Sequence, residues 1–161
     1  MKMLVTFDLD STLADTRHRH SLILEDGSTD WQAYAMACAS DALITACASL
    51  WRTLRPHHTL WVVSGRSMAA AALTARWLDA QGLDPDGVIL MSADRDVRTV
   101  DHAQYKVECI QRAERMAGER LLFHVDDYPP VAKACAEAGY ECLILASPQR
   151  LEAFDGRPSY I

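Results

Sequence analysis

No hydrophobic run in the chain approaches the roughly 18 residues needed to span a bilayer, so no membrane association is expected. Nor does any C-x-x-C pair occur. Cys38, Cys47, Cys109, Cys135 and Cys142 are odd in number and scattered, which argues against a disulfide framework or a zinc site and reads as reduced core thiols. Basic residues are in the minority, 16 Lys and Arg against 22 Asp and Glu, for a net charge of −6. Blanket binding of nucleic acid rests on many cations at phosphates, so it is disfavoured, although a local basic patch stays open. The chain also lacks internal repeats, low-complexity stretches and any linker rich in Pro, Gly or Ser. Its first ten residues, "MKMLVTFDLD", run straight into aspartates, unlike a secretory signal, and a cytoplasmic protein is expected. Homo-oligomerisation is left open.

What is present suits one globular domain spanning 1–161, half of it hydrophobic. Short aliphatic and β-branched runs alternate with helical patterns, the signature of β-α-β units. Strands are predicted at Met3–Phe7, Thr59–Val63, Val88–Met91, Leu121–Val125 and Glu141–Leu145, forming a five-stranded parallel sheet of doubly wound, Rossmann-like α/β type. Asp41 is read as the cap of a helix with the stripe Leu43, Cys47, Leu50 and Leu54. Further helices are expected from about Ser67 to Ala80, around Val107 to Ala117, and from Pro129 or Pro130 towards Gly139. About fifty residues separate the first two strands, more than a simple crossover of roughly 30 residues in total requires. The segment Ala14 to Ser40, with Trp31, Tyr34, Ala35 and Cys38 at helical spacing behind Asp30, is therefore read as a small helical cap-like insertion.

In an open parallel sheet, ligands bind beyond the carboxyl ends of the strands. The first strand there ends in Asp8-Leu9-Asp10-Ser11-Thr12, the second in Ser64-Gly65-Arg66 and the fourth in Asp126-Asp127, with Lys106 near the start of the preceding helix. Four gathered carboxylates repel one another and draw protons unless a cation sits among them. Hard oxygen ligands suit Mg²⁺, which is commonly held by one or two carboxylates together with a phosphate. Ser64, the Gly65 amide and Lys106 would then form the complementary anion-binding set.

These residues resemble a known family. "FDLDST" is similar to the D-x-D-x-T motif of the haloacid dehalogenase-like phosphatases, "VVSGR" to their second motif, Lys106 to the third and "HVDDYPP" to the fourth. Within that superfamily, "DLDSTLADTRHRH", "DWQAY", "WVVSGRS" and "MSADRDVRTVDHAQYK" are most similar to the 3′-phosphatase domain of polynucleotide kinase-phosphatase and its free-standing, often phage-encoded relatives. No G-x-x-x-x-G-K-[ST] is present, so no kinase half is expected beside it. The resemblance implies a Mg²⁺-dependent phosphomonoesterase in which Asp8 is the nucleophile that becomes an aspartyl-phosphate. Asp10 would be the general acid and then the base. It implies Mg²⁺ held by Asp8, the Asp10 carbonyl and Asp126, with Asp127 as a ligand directly or through water, and Ser64 and Lys106 on the phosphoryl oxygens. Thr12, Gly65, Arg66, Arg17 and Arg98 are the substrate-binding candidates, and the substrate a phosphorylated nucleotide or a 3′-phosphorylated nucleic-acid end. Two departures stand out: Ser11 replaces a frequent Gly, and the spacing from Asp96 to Lys106 is wider than in the polynucleotide phosphatases.

Plainer readings compete. Asp127 could cap the helix at Pro129, and Arg66 could be a solvated first-turn residue. The histidines of "RHRH" lack further zinc ligands, while Arg17, His18 and Arg19 lie where they could meet a nucleotide. Trp31 and Tyr34 read first as core of the insertion and second as a stacking surface for a base. At the level of function, a deoxyribonucleotidase or other small-molecule phosphatase is the enzyme alternative. A phospho-accepting signalling domain is the alternative of another class, but there the acidic pair precedes a phosphorylated Asp on a later strand, whereas here a D-x-D comes first and a D-D follows.

Overall fold

The computed structural model describes residues 2–24, 28–91 and 101–145. In chain order its elements are β1 (Leu4–Phe7), β2 (Ala14–Asp15), α1 (Trp31–Met36), β3 (Ala42–Leu43), α2 (Thr45–Leu54), β4 (Thr59–Ser67), α3 (Ala71–Ala80), β5 (Gly87–Met91), α4 (His102–Ala117), β6 (Leu121–Asp126), α5 (Pro129–Glu137) and β7 (Cys142–Ile144).

Alternation within the strands builds two buried faces, since successive side chains point to opposite sides of a sheet. Val5 and Phe7 of β1 and Leu60 and Val62 of β4 pack with Cys47, Ala48 and Trp51 of α2 and with Trp77 and Leu78 of α3. Leu4, Trp61 and Val63 face the other way, onto Tyr105, Cys109 and Ala113 of α4. Phe7 and Trp51 meet with ring centroids 5.1 Å apart. The result is a parallel sheet in the order β5-β4-β1-β6-β7, helices covering both sides, as the alternation of apolar runs led one to expect. All five cysteines are free thiols, four of them buried. No helix among the described residues is long and apolar enough to cross a membrane.

Chain order places β1 centrally and reverses direction there, β4 and β5 lying to one side and β6 and β7 to the other. The carboxyl ends of β1, β4 and β6 thus converge on one crevice. Above it stands the insertion after β1. Its base is closed by a two-residue antiparallel ladder, Ala14↔Leu43 and Asp15↔Ala42. Its body comprises a 3₁₀ turn at Arg17–Leu22, the helix α1 and a second 3₁₀ turn at Ala37–Ser40. Asp30 caps α1, its carboxylate accepting from the amides of Gln32 (3.0 Å) and Ala33 (2.9 Å).

Two boundaries differ from expectation. The crossover helix begins at Thr45 and Ile44 precedes it without a side-chain cap, so Asp41 is not its cap. Strand β4 runs on to Ser67 through Ser64-Gly65-Arg66, and the ladder with β5 resumes at Ser67↔Met91 after a register shift. That extension keeps the backbone extended where its polar residues enter the crevice.

Candidate active site

At the end of β1 the Asp8 amide donates to the Val125 carbonyl (2.8 Å), which fixes the backbone of the first aspartate against β6. Its carboxylate is buried; one oxygen accepts from the Thr12 hydroxyl (3.2 Å) and the other is in contact with the Lys106 ammonium. Lys106 projects from α4, whose first turn is capped by Asp101 through the amides of Ala103 (3.1 Å) and Gln104 (3.0 Å). The ammonium also reaches Asp126 Oδ2 at 3.2 Å. Asp126 is held from behind: its Oδ1 accepts from the Tyr128 amide (2.8 Å) and its Oδ2 from Nε2 of the fully buried His124 (3.0 Å). That leaves His124 Nδ1 to accept from the Thr6 hydroxyl at 2.8 Å.

Asp8, Asp126 and Asp127 are all buried and offer ligand atoms within 4.8 Å of one another. Burial pushes the Asp8 carboxyl up to about 8, against the pull of Lys106 and with Asp126 and Asp127 adding to the rise. Burial works in the same direction on Asp126, but Lys106 and His124 outweigh it and hold that carboxyl well below the usual range. Burial also keeps His124 neutral by lowering its pKa. Among the described residues, the carboxyls of Asp8, Asp126 and Asp127 gather beside the Lys106 ammonium and the His124 imidazole, an oxygen-rich cluster of the kind a divalent cation with oxygen ligands fits.

Asp10, two residues along, is in a different environment. Its Oδ1 accepts from Arg19 Nη2 (2.6 Å) and from Arg66 Nη2, and Arg66 Nε lies 3.4 Å from its Oδ2. Burial opposes ionisation of Asp10, yet Arg66 and Arg19 prevail and lower its pKa. Both arginines also bond Asp41, and Arg19 stacks on the Tyr34 ring at 4.4 Å from its centroid. Ser64 is wholly buried and its hydroxyl accepts from the Arg66 amide (3.1 Å). Asp8, Asp10, Ser64, Gly65, Arg66, Lys106, Asp126 and Asp127 together line one cavity of about 470 Å³. Its outer wall includes Trp31, Gln32 and Tyr34 of α1.

Of the sequence-predicted residues described, all but Arg17 and Thr12 meet in this cavity. Arg17 is exposed, pairs with Asp15 and is not part of the cavity wall; Arg19, the buried residue of the 3₁₀ turn at Arg17–Leu22, takes that place. Arg98 lies outside the described residues. Thr12 is fully buried and spends its hydroxyl on Asp8, so it is a support of that aspartate and not a cavity-lining substrate contact. Residues the sequence did not assign to the site are His124, Thr6 and Asp41; Thr6 and His124 meet across 118 positions, and Asp41 meets Arg19 and Arg66 across 22 and 25.

Neither a protein-family model nor a curated protein matches the sequence. Solved structures do match. A chain of the Pnkp1/Rnl/Hen1 RNA repair complex superposes with a TM-score of 0.71 at 21% identity over 90% of this chain, which spans 42% of that one. A haloacid dehalogenase-like family hydrolase from Streptococcus pneumoniae gives 0.62 at 13% identity, covering 97% of this chain and 92% of its own. A HAD-family enzyme from Bacteroides thetaiotaomicron, solved with magnesium and inorganic phosphate, gives 0.56 at 12%, covering 92% and 96%. The fold is the one these haloacid dehalogenase-like hydrolases share.

Proposed function

We propose that the chain is a Mg²⁺-dependent phosphomonoesterase that removes phosphate from a nucleotide or from the 3′ end of a polynucleotide, by way of an aspartyl-phosphate on Asp8. The observation that carries this reading is the buried trio Asp8, Asp126 and Asp127 with Lys106 in contact with Asp8. Asp8, Asp126, the Asp10 carbonyl and Asp127 would hold the metal. Bound there, Mg²⁺ supplies charge neutralisation for the phosphoryl oxygens and for the carboxylates around them.

Thr12 and Lys106 orient the Asp8 carboxylate, and an oxygen of it attacks phosphorus. As that P–O bond forms, the bond to the ester oxygen breaks, and Asp10 gives that oxygen a proton. Asp10, now ionised, takes a proton from water; the water oxygen attacks phosphorus, releasing inorganic phosphate and free Asp8. The two arginines favour the ionised Asp10, the form needed for the second half of the cycle. Lys106 and the buried Ser64 hydroxyl stand where phosphoryl oxygens would be bound.

A nucleotide-sized substrate is supported by the cavity, whose volume and aromatic outer wall exceed what a phosphoryl group alone fills. The likeness to a chain of an RNA repair complex favours a nucleic-acid end. The net charge of −6 favours the second reading, a deoxyribonucleotidase. Phosphate release from a 3′-phosphorylated oligonucleotide and from deoxynucleoside monophosphates, each with Mg²⁺ and with EDTA, separates the two. Release from the oligonucleotide alone is expected, abolished by EDTA and by Asp8→Asn; turnover that survives both treatments would refute the reading.

A further inference from the structure

Asp41 occupies a place that neither the cavity wall nor the reaction accounts for. It is 4% exposed and sits where the insertion returns to the sheet, just before β3. Its Oδ2 accepts from Arg19 Nη2 (2.8 Å) and Arg66 Nη2 (2.8 Å), the same two nitrogens that bond Asp10 Oδ1. Two carboxylate oxygens and two guanidinium nitrogens thus close a ring. Asp41 Oδ1 accepts in addition from Arg19 Nε (2.9 Å) and lies 2.9 Å from His18 Nε2. The Asp41 carbonyl accepts from Trp77 Nε1 (2.7 Å), tying the ring to α3, and Arg66 Nη1 donates to Thr74 on the same helix (3.2 Å).

Both arginine side chains are 1% exposed, so each needs a carboxylate partner. With Asp41 present, two cations face two anions. Without it, both guanidiniums would bear on Asp10 alone, and a carboxylate so gripped is drawn off its position. Neither arginine has charge to spare for a substrate phosphate, which is a different role from the substrate contact expected for Arg66.

We propose that Asp41 is a positioning residue: it holds Arg19 and Arg66 so that they present the Asp10 carboxylate to the leaving-group oxygen. The inference rests on the reading of Asp10 as the acid and base of a phosphomonoesterase. It has a signature that loss of folding does not. Protonation matters most when the departing oxygen is strongly basic, and little when it leaves readily as an anion.

The test compares kcat/KM for phenyl phosphate and p-nitrophenyl phosphate, substrates of similar size, since the nitro group stabilises the departing phenolate. In Asp41→Asn, which preserves shape and removes the charge, kcat/KM for phenyl phosphate is expected to fall about 100-fold, the scale of general acid catalysis, and that for p-nitrophenyl phosphate by less than about tenfold. The ratio of the two does not depend on how much of the variant is folded. Should that variant be insoluble, Asp41→Glu, which keeps the charge and shifts it by one methylene, is read by the same ratio. Equal losses on both substrates would overturn the positioning role and leave the phosphatase reading standing. A wild-type protein inactive on both and on a 3′-phosphorylated oligonucleotide would overturn the phosphatase reading and the positioning role with it.

Discussion

The Lys106 ammonium stands 3.2 Å from the Asp126 carboxylate and in contact with the carboxyl of Asp8, between two buried acidic groups. Removing a partner from a buried ion pair leaves an uncompensated charge, usually at a cost of about 3–5 kcal/mol. Asp8 can relieve part of this by taking a proton, since its carboxyl is already pushed up to about 8. Lys106→Met is therefore expected to destabilise the metal-free protein by about 3 kcal/mol, the lower end of that range. Urea unfolding in EDTA measures it, and a stability equal to wild type would show that the ammonium contributes nothing to holding the two carboxylates.

Gly87, at the start of β5, lies beside Trp61 in the β4–β5 ladder. A Cβ at this position would fall 2.4 Å from Trp61 Cε2 and 2.5 Å from two more ring atoms. The indole is itself 6% exposed and packed in the core on the α4 side, so it has little room to yield. Gly87→Ala should cost about 1–3 kcal/mol, the usual range for overpacking, seen as a lower urea midpoint with an unchanged slope. A neutral result would mean that the ring moves freely.

How far the molecule was legible in its sequence depends on whether an interaction is local. The central strands β1 and β4 show as apolar runs because both their faces are buried, and Asp8, Asp10, Ser64, Lys106 and Asp126 stand at strand ends or on α4, where topology brings them together. Asp41 was misread because a short acidic residue ahead of an apolar stripe is what a helix cap looks like. Its real partners are 22 and 25 positions away. Arg19 and Arg17 are alike in "RHRH", and only the pitch of the 3₁₀ turn decides which faces inward. The polar end of β4 carries no strand pattern; it is extended because Ser67 pairs with Met91.

Ser11 adopts φ 65°, the left-handed region, in the loop that carries Asp10. Its hydroxyl lies 3.1 Å from that of Thr16, which offsets part of the strain. Alanine keeps the strain and loses the hydrogen bond, whereas glycine removes the strain. Ser11→Gly should therefore be more stable than Ser11→Ala by about 1 kcal/mol, the order opposite to that at an ordinary position. Paired thermal melts decide it; alanine equal to glycine would mean that the loop relaxes out of this conformation.

Glu114 joins three elements from α4: its Oε1 accepts from the Leu121 amide (2.7 Å) at the start of β6, and its Oε2 from the Tyr140 hydroxyl (2.7 Å) ahead of β7. Burial, and then this acceptor, pushes the Tyr140 hydroxyl up from 10.0 to about 12. A raised value means that folding favours the protonated form. The contribution is complete below the unfolded value near pH 10 and is lost as pH rises through about 12. The stability difference between wild type and Tyr140→Phe should hold constant from neutral pH to the unfolded value and shrink above it in urea titrations; a difference independent of pH would exclude the Tyr140–Glu114 bond as its source.

If the carboxylate trio holds Mg²⁺, the metal binds the folded chain and not the unfolded one, and so stabilises it by mass action. At a hundred times its dissociation constant a ligand adds about 2.7 kcal/mol. Wild-type protein in Mg²⁺ should accordingly unfold at higher urea than in EDTA. Asp126→Asn keeps the side-chain shape and the acceptor for the Tyr128 amide but weakens the site, so its midpoint should move little. Because added salt also screens surface charge, both proteins are compared at ionic strength matched with NaCl. A Mg²⁺ shift as large in Asp126→Asn as in wild type would place the cation somewhere other than between Asp8, Asp126 and Asp127.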